Sequence, residues 1–236
     1  YDFEEEDFMS AEIEIVPAGK ARDLGLDRSM VAGYGHDDRI CAYTSLLALL
    51  ETENTKKTSV VLLVDKEEVG SITGMQSRFF ENAVAELMDR VGEYSELKLR
   101  RALANSKMLS SDVTAAFDPN YAGAYEKKNS AFFGKGLAFA KYTGARGKSG
   151  CNDANAEFVA WLRNVMDEND VAYQMAELGK VDQGGGGTIA YILAEYGMEV
   201  IDCGVALQNM HAPWEVASKV DIFETMRGYK AFLMAE

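Results

Sequence analysis

The chain has 236 residues, 47% of them apolar and 10% aromatic, enough to close a large domain around a sizeable core. Its 38 acidic residues outnumber 24 basic ones, for a formal charge of −14, which argues against nucleic acid as a partner because phosphate contacts need surplus Lys and Arg. No apolar run reaches the ~18 residues that span a bilayer, so no membrane partner is expected.

In chain order, residues 8–16, FMSAEIEIV, alternate apolar and polar and predict a strand with one wet face. Residues 17–29 are rich in Gly and charge and predict a loop. Apolar residues at helical spacing over 39–51 predict a buried helix, followed by a polar turn. SVVLLVD (59–65) is short, β-rich and almost wholly apolar, which predicts an interior strand covered on both faces. An amphipathic helix is predicted over 77–94 and a strand within 100–116. A third helix follows over 151–170, with Asn152 or Asp153 as its cap. The remaining expectations are a strand at 171–178, a glycine loop feeding a helix over 184–197, a strand at 198–207 and a closing helix over 212–235. Strands alternating with helices predict a layered α/β fold. Cys41, Cys151 and Cys203 are odd in number and far apart. They suggest neither a disulfide framework nor a zinc ribbon, and fit a reducing, cytoplasmic setting. The chain opens on Tyr1, mid-pattern, and an amino-terminal part of the full protein is expected to precede it.

Four polar clusters fall at predicted element ends: His36, Asp37 and Asp38 in YGHDDRICA, Glu67 and Glu68 in DKEEVG, Asp112 in SSDVTAAFDPNY, and His211 in NMHAPWE. Ligands of open α/β sheets bind outside the carboxyl ends of strands. Each cluster alone has a bland explanation. Paired glutamates in a loop usually form a solvated acidic turn. Paired aspartates before a helix usually cap it. QGGGGT (183–188) lacks the GK[ST] ending of a phosphate loop, which argues against nucleotide binding. Together, however, the residues offer imidazole nitrogen and carboxylate oxygen, the donor types a metal pair needs. One carboxylate would bridge, others would terminate, and one would remain free to carry a proton.

GHDDRICAYTSLLAL, VDKEEVGSITGMQS, SSDVTAAFDPNY and GGGGTIAYILAEYGMEVIDCGVALQNMHAPWE occur in this order. In this combination the chain closely resembles the aspartyl aminopeptidase and vacuolar aminopeptidase I family of dinuclear metallopeptidases, from about residue 8 to its end. The resemblance implies a three-layer α/β/α fold with a central mixed sheet, of the phosphorylase/hydrolase-like metallopeptidase type. It implies Asp37 as the bridging ligand, Glu68 and His211 as terminal ligands of one zinc, Asp112 as a ligand of the other, and Glu67 as general base. Lys141, Gly185, Gly186 and Thr188 correspond to substrate-side positions. The implied cofactors are two Zn²⁺, with Co²⁺ or Mn²⁺ as substitutes. The implied partners are peptide substrates and further copies of the chain in a dodecamer. The family's further histidine ligand, carried in a GHTD-like context, has no match here. Residues 1–16 resemble the tail of an inserted dimerisation domain, and residues 17–236 the carboxy-terminal part of the catalytic domain. The missing amino-terminal segment would then complete the site. The implied reaction is removal of the first residue of a peptide by a metal-bridging water, with Glu67 taking its proton. The alternatives are an incomplete half-site serving as an assembly piece and a dinuclear amide hydrolase of other specificity.

Overall fold

The computed structural model describes residues 2–70, 74–145, 149–180 and 186–236. Strands β1 (Arg22–Leu24) and β2 (Met30–Gly33) lead into helix α1 (His36–Leu50). Helices α2 (Phe79–Arg90) and α3 (Glu96–Ala104) precede strands β3 (Lys107–Ser111) and β4 (Thr114–Ala115). Next come β5 (Leu137–Ala140), β6 (Tyr142–Ala145), β7 (Ser149–Asp153), helix α4 (Ala156–Glu168) and β8 (Tyr173–Met175). The chain closes with α5 (Ala190–Ala194), β9 (Glu199–Gly204), β10 (Ala206–Gln208), β11 (Glu215–Ser218) and α6 (Lys219–Met234).

One sheet has the order β3-β9-β5-β8 and is mixed: β3 runs parallel to β9, and β5 antiparallel to it. A second has the order β1-β2-β11-β10-β4. The two are continuous, because backbone hydrogen bonds from Asp112 to Cys203, Thr114 to Val205 and Ala116 to Leu207 carry the ladder from β3–β9 into β4–β10. Strand β9 shows why the fold has three layers. Ile201 and Cys203 point into a core formed with Leu137, Phe139, Phe158, Leu162 and Tyr229, beneath α1, α4 and α6. Val200 points the other way, into a core with Leu99, Leu103, Ile192 and Leu193 from α3 and α5. Period-two alternation thus buries both faces of one strand under helices on both sides. Burying a side chain such as Phe139 or Leu162 contributes roughly 1.5–3 kcal/mol.

The local chemistry explains the element boundaries. In α4, Asn155 accepts a hydrogen bond from the Phe158 N–H at 2.8 Å, so the cap is Asn155 and not Asn152 or Asp153, which belong to β7. Phe158, Leu162, Val165 and Met166 then line the buried face. Gly228 lets α6 lie close to β5, since a Cβ there would stand 2.7 Å from Leu137 Cδ2.

Several expectations do not hold. Residues 8–16 form no strand; a 3₁₀ turn covers Glu5–Met9, and the following residues to 16 are exposed and belong to no helix or strand. A strand needs a neighbour to satisfy its backbone, and none among the described residues pairs with this segment. Residues 59–65 likewise join no sheet and are half-exposed; β3 is the edge strand on that side, and a cavity separates the two. The closing helix starts at Lys219, because Glu215–Ser218 pair with β2 and β10 instead. Among the described residues, no helix is long and apolar enough to cross a membrane.

Candidate metal centre

Strands β2 and β10 both run antiparallel to β11 and hence parallel to each other, so they leave the sheet at one edge. Each feeds a loop that carries a candidate ligand. After β2, Gly35 takes a left-handed φ of 69° and turns the chain back. The helix then begins irregularly: Asp37 and Asp38 have non-helical backbone angles, and the peptide between them is cis. Asp38 Oδ1 accepts the Cys41 N–H at 3.3 Å and caps the regular part of α1. After β10, Asn209 and His211 both have left-handed φ, 60° and 65°. Asp112 follows β3 directly, and Glu67 and Glu68 sit in a turn closed by the Gly70 N–H to the Glu67 carbonyl.

These segments converge. His211 Nε2 lies 2.8 Å from Asp37 Oδ2 and 3.2 Å from Glu68 Oε1. Potential ligand atoms of Asp37, Glu68 and His211 lie within 4.8 Å of one another, as do those of Asp37, Asp38 and Asp112. Asp37 is the one member common to both groups, and its side chain is only 5% exposed. A cavity of about 1040 Å³ opens beside them, lined by Asp37, Glu67, Glu68 and Asp112 at one end and by apolar side chains such as Leu62 and Met108 elsewhere.

So many acids in one place repel. Burial, then Glu68, pushes Asp37 up to about 6. Burial pushes Asp38 up to about 8 against the hydrogen bonds from Cys41. Burial, then Asp38 and Asp37, holds Asp112 well above the carboxylate range. Burial, then Glu68 and Asp37, also raises Glu67. Burial alone would lower His211, but the adjoining Glu68 and Asp37 carboxylates hold it above its ordinary value. A divalent cation would suit this donor set: it would replace the retained protons with charge that all the carboxylates can share. One group offers an imidazole nitrogen with two carboxylates, and the other only carboxylates, with one acid common to both. That pattern fits two cations side by side.

The candidates on the substrate side fall elsewhere. Lys141 forms an ion pair with Asp153 and belongs to neither acidic group. Thr188 lies 3.4 Å from Thr143, and both line, with Asp112, a small cavity of about 20 Å³. Gly186 backs onto the Leu178 side chain. Gly185 lies outside the described residues. Two residues beyond the expected set enter the site. Asp38 completes the second acidic group. Glu215, at the start of β11, accepts the backbone N–H groups of both Asp37 and His211. Asp38 was visible in the DD pair as a cap; Glu215 lay in the stretch expected to open a helix, where nothing in the sequence marks its two backbone partners.

Comparison with known proteins gives a consistent picture. The family model for aminopeptidase I zinc metalloproteases (M18) matches residues 1–233. A probable M18 family aminopeptidase 1 of Clostridium acetobutylicum is 72% identical over 235 residues, 99% of this chain and 50% of that protein. The crystal structure of an M18 family aminopeptidase from Thermotoga maritima superposes with a TM-score of 0.94 at 48% identity, covering 99% of this chain and 52% of that one. The Saccharomyces cerevisiae mApe1 dodecamer shares the fold at a TM-score of 0.75 and 21% identity, covering 92% of this chain and 48% of that one. The chain therefore spans about half the length of the relatives it matches.

Proposed function

The chain belongs to the aminopeptidase I zinc metalloprotease (M18) family, and from that premise we propose that it carries the metal-binding and proton-transfer residues of a zinc aminopeptidase that releases the first residue of peptides. The observation that supports this most directly is the membership of Asp37 in both ligand groups. In this reading Asp37 would be the ligand that two Zn²⁺ ions share. Glu68 and His211 would help hold one ion, and Asp112 the other. Two such ions supply Lewis acidity for the scissile carbonyl and acidify a water beside it; Co²⁺ or Mn²⁺ would suit the same nitrogen and oxygen donors.

The protein's own residues do the rest. Glu67 belongs to neither ligand group yet lines the cavity beside both, so its carboxylate is left to take a proton from the attacking water and return it to the departing amine. Burial and the neighbouring acids already hold it above its ordinary range, which favours a proton carrier over a permanent anion. The apolar remainder of the cavity excludes bulk water and can hold substrate side chains. The same reading makes residues 1–16 the tail of an inserted dimerisation domain and residues 17–236 part of the catalytic domain. The remaining ligand and the rest of the site come from an amino-terminal segment, and the assembly is a homo-oligomer. Three cysteines, odd in number and far apart in the chain, suit a cytoplasmic setting.

The test is Glu67→Gln. Zinc content should stay at the wild-type level while hydrolysis of peptides with a free amino terminus falls by about 10²–10⁴. N-blocked peptides should resist the wild type. Normal turnover by Glu67→Gln would remove Glu67 from this role.

A further inference from the structure

The geometry points to Glu215 as a positioning residue for the metal centre, holding Asp37 and His211 in register through their backbones. This rests on the ligand reading above and adds to it a residue that reaches no metal itself. Glu215 is only 2% exposed. One oxygen, Oε2, accepts the N–H of Asp37 at 3.1 Å; the other, Oε1, accepts the N–H of His211 at 2.9 Å. Asp37 lies 178 positions away in the chain. A single buried carboxylate therefore ties together two loops whose side chains meet at 2.8 Å.

Sheet register puts it there. Glu215 opens β11 opposite Gly33, the last residue of β2, so its side chain stands beneath the turn that leads to Asp37. The clamp also has strain to hold. His211 keeps a φ of 65°, a conformation that a residue with a side chain leaves unless its surroundings fix it. Accepting the His211 N–H fixes it. Both bonds end on the one buried Glu215 side chain, and losing either would leave a backbone N–H without its acceptor.

Glu215→Gln tests this at nearly constant shape. An amide can accept from one backbone N–H but turns its NH₂ toward the other, so one ligand loop loses its anchor. The readouts are Zn²⁺ affinity by competition with a chromogenic chelator, and the visible spectrum of the Co²⁺-substituted protein, both taken where circular dichroism shows the variant folded. Affinity should fall 10–100-fold, and the Co²⁺ bands should shift or weaken. Glu215→Asp, too short to reach both N–H groups, should behave likewise and serves if Glu215→Gln does not fold. Asp37→Ala runs alongside. If it loses zinc while Glu215→Gln and Glu215→Asp bind Zn²⁺ and Co²⁺ as the wild type does, the positioning role is wrong and the ligand reading stands. If Asp37→Ala keeps its full zinc content, the ligand reading fails and the role of Glu215 fails with it.

Discussion

Raising the pH from about 6.5 to about 8 should destabilise the metal-free protein. In the unfolded chain Asp38 titrates near 3.8, whereas in the folded chain burial moves it to about 8. Between those values the folded state holds a proton that the unfolded state has released, so stability falls as pH rises. A retained proton costs about 1.4 kcal/mol per pH unit. From about pH 6.5 to about pH 8, Asp38 alone then removes about 2 kcal/mol, or about 4–8 °C of melting temperature for a chain of this length. Asp112 and His211 are also raised and act in the same direction. His36, lowered by burial, acts oppositely, mainly below this range. The assay is calorimetry of EDTA-dialysed protein across the range. Asp38→Asn should flatten the slope, and added Zn²⁺ should abolish it by keeping the carboxylates ionised. A metal-free melting temperature that stays level or climbs between these pH values would refute the argument.

Two further predictions concern the fold. Leu162→Ala, at a fully buried position in the core beneath α4 and α6, should cost about 2–5 kcal/mol in urea denaturation with an unchanged m-value. Asn155→Ala removes the α4 cap and should cost about 1 kcal/mol, measurable as a lower urea midpoint without loss of zinc binding.

The sequence marked the side chains that converge in the fold better than the frame that carries them. The clusters holding Asp37, Glu68, Asp112 and His211 stood out because acids and histidines abutted apolar runs, where such groups are costly unless they have a use; the resemblance to a known family then singled out these four. The strand over 198–207 and the helix over 39–51 were visible in their periodicity. The failures share one physical cause: pairing partners are not written locally. VVLLV at 60–64 has every mark of an interior strand, yet none among the described residues lies alongside it. Residues 215–218 look like the first turn of a helix, yet β2 and β10 claim them. Because Glu215 acquires its role only from that pairing, it stayed hidden for the same reason.

The joining of Asp37 to Glu215 and His211 also has a temporal side. During synthesis the chain emerges from its amino terminus, so Asp37, Glu67, Glu68 and Asp112 are all made long before β11 exists. A ribosome-bound intermediate would display the acids without the clamp or the imidazole. On the proposed reading, capture of metal would wait until β11 has been made, and a chain interrupted before it would hold a cluster of mutually repelling carboxylates without the imidazole.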